Sequence, residues 1–140
     1  MSTALRTLAG ILVGMFVAIV LVVGVELLSA VVHPPPEGFG GTEEEMFRHV
    51  ERYPQWVLAV AVVAWAVTAF VSAWTAKKIG NLWSFAIVGL LLLAALVFNL
   101  LELPYPMWFK IANLLVIPAA IVAGGRLATR KETAGMGESR

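Results

Sequence analysis

Glu26 is the residue of this chain with the most chemical potential, because it is the one charge inside the apolar run 8–32. An ionised carboxylate facing hydrocarbon costs several kcal/mol, so Glu26 must face other helices, hold a proton, or find a partner. Four more polar residues fall near its depth. Glu26 lies seven residues inside His33 and Asn113 seven residues inside Pro106, each about 10 Å below the boundary of its helix by helical rise. Asn99, Glu102 and Lys110 fall between that level and the surface. Asn99 with Glu102, and Lys110 with Asn113, are i,i+3 pairs and share helix faces. Lys110 is the expected partner of Glu26, with Asn99 and Asn113 supplying donors. Such a cluster of Glu26, Asn99, Glu102, Lys110 and Asn113 would bind a proton or a small solute. The alternative is a structural network that fixes helix register, with Glu102 and Lys110 snorkelling to the interface.

Other chemistry has little to stand on. Cysteine is absent, and so is aspartate, which removes thiolate nucleophiles, disulfides and paired-aspartate catalysis. No Gly-x-Ser-x-Gly or phosphate-binding glycine loop occurs, and Ser29, Thr68, Ser72 and Ser84 lack a histidine at a matching depth. No enzyme, catalytic residue or cofactor is expected. His33, Glu37, Glu43, Glu44, Glu45 and His49 crowd one loop, yet without metal-ligand spacing, so no metal site is assigned. No basic block interleaved with aromatics is present, which argues against nucleic acid.

The elements that must position these residues are four apolar spans, about 8–32, 54–76, 79–103 and 106–128, each long enough to cross a bilayer. The chain is 60% hydrophobic and only 14% charged, with a mean hydropathy of +0.87, whereas soluble domains carry about 25% charge. The fold class is therefore all-α, a single four-transmembrane-helix bundle over 1–128 with a flexible cytoplasmic tail at 129–140. The first span is too long for the apolar core of a typical signal peptide and is expected to stay in the mature protein.

Arg6, Lys77, Lys78, Arg126, Arg130, Lys131 and Arg140 fall at one side of the spans. Arg48, Arg52 and Lys110 fall at the other with five loop glutamates. The positive-inside rule then puts both termini in the cytoplasm and the 33–53 loop outside. In that loop, His33-Pro34-Pro35-Pro36 ends the first helix. Thr42 with Glu45 reads as a capping box, and 43–53 reads as a short amphipathic helix lying over the outer mouth or among headgroups. Glu44→Arg48 and Glu45→His49 are i,i+4 supports for it.

Tyr53-Pro54-Gln55-Trp56 before the second span resembles Tyr105-Pro106-Met107-Trp108 before the fourth, which suggests two tandem helix hairpins. Small-residue rows at Gly10/Gly14/Ala18, Ala59/Ala66/Ala73 and Ala120/Gly124/Ala128 allow close helix approach within the bundle or between subunits. Pro118, inside the fourth span, removes one backbone hydrogen bond and is a candidate hinge, or a static kink.

The segment Glu26…His33-Pro34-Pro35-Pro36-Glu37-Gly38, the capped acidic helix that follows, and Pro104-Tyr105-Pro106-Met107-Trp108-Phe109 resemble small four-span bacterial inner-membrane proteins. The resemblance implies a fold, a topology and a bacterial inner (plasma) membrane, and brings no activity with it. The functional expectation is an interaction or scaffold component with the lipid bilayer, other membrane proteins or its own copies as partners. The alternative is an oligomeric transporter or channel subunit with its proton- or solute-binding cluster around Glu26.

Overall fold

The structure is a computed structural model that describes residues 1–137, with side chains described through Thr129. Five helices follow in order: α1 (Thr3–Val32), α2 (Glu43–Glu51), α3 (Gln55–Ile79), α4 (Leu82–Glu102) and α5 (Met107–Gly137). All but α2 are long and apolar enough to span a membrane, and the chain is a multi-pass membrane protein. No strand occurs among the described residues.

Local chemistry sets the boundaries. Ser2 caps α1, its hydroxyl accepting from the Leu5 amide, so α1 starts before the first apolar run and carries Arg6 within it. The turn between α3 and α4 is Gly80-Asn81. It assigns Ile79 to α3 rather than to the following helix. Asn81 Oδ1 accepts from the Trp83 and Ser84 amides while Ser84 Oγ accepts from the Asn81 amide, a reciprocal cap that satisfies orphan donors. The same two side chains hold α1: Asn81 Nδ2 donates to Thr7 Oγ1 at 2.7 Å and Ser84 Oγ to the Thr7 carbonyl at 3.0 Å. Asn81→Ala removes the cap and the interhelical bond together. It is expected to lower stability by about 1–2 kcal/mol, measurable by unfolding in mixed micelles against Thr7→Ala, which loses the interhelical bond and a local one to the Thr3 carbonyl but keeps the α4 cap.

In lipid, burial of apolar surface does not drive helices together, so close packing decides which ones touch. The small-residue rows do this within the chain. A Cβ on Gly10 would sit 2.6 Å from the Gly80 Cα and 2.7 Å from the Ala76 carbonyl, and one on Gly14 would sit 2.8 Å from Ala76 Cβ. On the opposite flank of α3, a Cβ on Gly124 would lie 2.5 Å from the Phe70 carbonyl. Helix α3 is thus the hub, with α1 against one side and α5 against another. Helix α4, rich in leucine, packs more thinly on α3 and α1 and only lightly on α5. The two hairpins exist in the connectivity, but their packing is not repeated: α1 lies tightly on α3, whereas α5 chooses α3 over α4. The core joins Leu58, Ala69 and Ala73 of α3, Leu96 and Leu100 of α4, and Phe109, Ile117 and Ile121 of α5.

Helix α5 passes through Pro118 without a break and runs on to Gly137. Residues 129–137, expected as flexible tail, are therefore helical, because nothing in that stretch stops a helix before its glycines. The side chains of Arg130 and Lys131, and all of Arg140, lie outside the described residues.

Candidate functional site

At the end of the bundle that carries α2, two adjoining cavities of about 180 and 240 Å³ share Glu26, Trp65 and Asn99 in their walls. The deeper one lies between Val22 and Glu26 of α1 and Leu92, Ala95, Leu96 and Asn99 of α4, with α3 behind it and Ile117 of α5 at its back. Helices α1 and α4 are pinned together at the Thr7–Asn81 end, and this gap opens at the other. The shallower cavity lies beneath α2, whose Met46 and Val50 form part of its roof.

Helix α2 is built as a roof. Thr42 Oγ1 accepts from the Glu45 amide, and Glu45 Oε2 accepts from the amides of Thr42 and Gly40 at 3.1 and 2.9 Å. These backbone donors, with the Thr42 hydroxyl, hold the Glu45 carboxyl below the usual range. Gly38 and Gly41 take positive φ, 79° and 76°, a conformation side chains disfavour, and so turn the chain into the helix. The backbone of α2 makes no close approach to the other helices; side chains hold it. His49 stacks on His33 at 4.8 Å and 17°, and Tyr53 lies 4.8 Å from His33 and 5.3 Å from His49. Glu44 pairs with Arg48 as expected, whereas Glu45 does not support His49, since its carboxylate is turned back onto the cap.

The walls under the roof are aromatic. Tyr105 and Phe109 are 4.6 Å apart, and Trp65 sits 5.5 Å from Phe109 and 6.2 Å edge-on to Tyr105. The two Tyr-Pro-x-Trp segments converge here. The Pro54 carbonyl accepts from the Val57 and Leu58 amides and the Pro106 carbonyl from those of Phe109 and Lys110, Trp108 Nε1 donates to Gln55 Oε1, and Tyr53 and Tyr105 line the same cavity. Burial first, and then the nearby Glu26 carboxylate, raise the Tyr53 phenol above its ordinary range. Burial, Tyr53 and Glu26 do the same to Tyr105. Both phenols are neutral at any physiological pH, and neither hydrogen-bonds to a described residue.

Of the five residues expected to cluster, the structure brings Glu26 and Asn99 together and separates the rest. Glu26 is exposed on one side and lines both cavities. Asn99 Oδ1 is buried without a hydrogen-bond partner among the described residues. Lys110 is not the partner of Glu26: the only ion pair among the described residues is Glu44–Arg48, and Lys110 lines neither cavity. Glu102 is exposed in the last turn of α4. Asn113 is wholly buried on the α5 face that carries Phe109 and Ile117, and its Nδ2 donates to the Phe109 carbonyl at 2.9 Å. Helical rise put these side chains at one level, but Lys110 and Asn113 line neither cavity; Asn113 is packed between Phe109 and Ile117 on the buried α5 face, and its Oδ1 has no hydrogen-bond partner among the described residues. Pro118 lines a groove on the far face of α5, while its neighbour Ile117 reaches the Glu26 cavity. No three His or Glu side chains converge among the described residues.

The residues that sequence reasoning missed are Trp65, Tyr105 and Phe109. The repeated Tyr-Pro-x-Trp segment was the signal, since two copies at equivalent helix starts point two tyrosines to one level. No known protein family, curated protein or solved structure matches this chain.

Proposed function

We propose that this protein binds a small solute in the cavity beside Glu26 and acts as a transporter or channel subunit. The observation that carries this reading is the pair of adjoining cavities that meet at Glu26, Trp65 and Asn99 beneath a roof held only by side chains. Concave, largely apolar pockets with a few convergent polar groups are where small ligands bind, and an intramembrane carboxylate without a structural partner is a functional residue by default. The small-residue rows at Gly10, Gly14 and Gly124 that would serve a scaffold are occupied inside the chain, against α3 and α4, which supports the solute-binding reading over the scaffold. Leu90, Phe98 and Leu101 on the outer side of α4 face lipid or a second copy of the chain in an oligomer. A bend at Pro118 would move Ile117 and change the volume beside Glu26. The basic residues at the Gly80 end and the acidic α2 end support an orientation with α2 outside and both termini cytoplasmic, and the resemblance to small four-span bacterial proteins supports a bacterial inner membrane.

The absence of cysteine makes the test clean. In proteoliposomes, a charged, membrane-impermeant thiol reagent is expected to label Ser29→Cys, in the cavity wall, and to spare Val23→Cys, which is exposed on α1 but lines no cavity. Glu26→Gln is expected to abolish any proton or solute flux that the unmodified chain supports. Equal resistance of both cysteines to the reagent would remove the solute-binding reading.

A further inference from the structure

Resting on that reading, we propose the ligand class: Glu26, Asn99, Trp65, Tyr53, Tyr105 and Phe109 form a site for an organic ammonium ion, a quaternary or alkylated amine carried free or as a lipid headgroup. Charge selects the sign. Among the described residues Glu26 makes no ion pair, and neither of its cavities has a basic side chain in its wall, so a monovalent cation is the complement it lacks. Arg48 and Arg52 line a separate outer pocket with His33 and Glu37.

The walls select the kind of cation. A calcium ion takes six to eight oxygens and magnesium a rigid octahedron, whereas this site offers one carboxylate, one amide, two phenols and the hydroxyl of Ser29, with rings and aliphatic groups elsewhere. The Thr68 hydroxyl in the deeper cavity is already committed to the Ala64 carbonyl. Rings around a carboxylate suit a weakly hydrated, methylated nitrogen, whose positive surface is attracted to aromatic faces and whose alkyl groups need no hydrogen bonds. Cavities of about 180 and 240 Å³ exceed a bare metal ion and suit a substituted nitrogen with a short chain. The gap between α1 and α4 gives an alkyl tail a path into the membrane. The unpartnered Asn99 Oδ1 adds a second partial negative charge beside Glu26.

The experiment uses the full chain with Ser29→Cys in phosphatidylglycerol nanodiscs, which contain no ammonium headgroup, and choline as the probe. The probe is expected to slow thiol labelling saturably, and its neutral isostere 3,3-dimethylbutanol to leave labelling unchanged. Added Glu26→Gln is expected to abolish protection and Glu26→Asp to keep it. Added Trp65→Ala is expected to weaken it by about thirtyfold, the size of a desolvated cation–π contact. Each variant's labelling rate without probe reports that its cavity is intact. Adding phosphatidylcholine separates the sources: a headgroup ligand competes and shifts the protection curve, and a free cation leaves it in place, both in accord with the proposal. Rapid labelling with no protection, protection by the neutral isostere, or protection that survives Glu26→Gln would overturn the ammonium assignment and leave the cavity reading standing. A Ser29→Cys that never labels would overturn both.

Discussion

Gly124→Leu is expected to separate α5 from α3 and to destabilise the bundle by about 3 kcal/mol or more, at the upper end of overpacking effects. The neighbour that a Cβ would strike at 2.5 Å is the Phe70 carbonyl oxygen, with the Trp74 amide nitrogen at 3.2 Å. Both are backbone atoms of a rigid helix, so no rotamer change can make room and the helices themselves must part. Loss of that contact is not offset by burial of the new leucine, because lipid solvates a leucine as well as the bundle does. Gly24→Ala is the control. Nothing lies within 4 Å of its Cβ position, and helix propensity favours alanine by up to about 1 kcal/mol. Equilibrium unfolding in mixed micelles reads both variants. A Gly124→Leu protein as stable as its parent would mean that α3 and α5 do not touch as described. Phe109 and Ile117 ride on α5, so this substitution is also expected to raise the labelling rate of Ser29→Cys above that of the single variant.

The contrast between these glycines marks what sequence can and cannot say about such a protein. The spans were legible because bilayer thickness imposes a length and a hydrocarbon solvent imposes a composition. The cap at Thr42 was legible because it is a local spacing, and it formed as expected. Spacing along each helix was legible, since helical rise is fixed. Azimuth was not. Whether Lys110 meets Glu26 depends on how α5 is rotated, and the approach of Gly124 to Phe70 that helps to fix that rotation spans more than fifty residues of sequence. The Asn81–Thr7 bond escaped for the same reason: Asn81 reads as a turn residue until α1 is seen beside it. The aromatic walls were hidden by a different ambiguity. Trp and Tyr at span ends are ordinary interface anchors, and only the convergence of Tyr53 and Tyr105 on one cavity separates these from the rest.

Lowering the pH is expected to release α2 from the bundle, through His49. The His49 imidazole is held below its ordinary value of 6.5, first by burial and then by the neighbouring His33. Its packed state therefore binds protons less readily than the released state, and stability rises with pH across the transition. The stabilising contribution is fully present above about pH 6.5 and is lost as pH falls through the lower value that His49 has when packed. The groups around the stack do not reverse this. Tyr53 and Phe39 present rings, Arg48 and Arg52 are cationic, and Glu37 and Glu45 line the same outer pocket. The Glu45 carboxylate is engaged by the Thr42 and Gly40 amides and gives an imidazolium little relief. Because α2 is held by side chains and not by backbone packing, loss of one stacked pair has a large local effect. Amide exchange over 43–51, corrected for intrinsic rates, is expected to show strong protection at pH 7.5 and little at pH 5, while exchange in α3 stays unchanged. His49→Gln is expected to remove the pH step and to leave α2 weakly protected throughout. Equal protection at both pH values in the unsubstituted chain would show that the His33–His49 stack does not hold the roof. In that case access to Glu26 would have to come from the α1–α4 gap, and Ser29→Cys labelling, corrected for ionisation of the thiol itself, would be independent of pH.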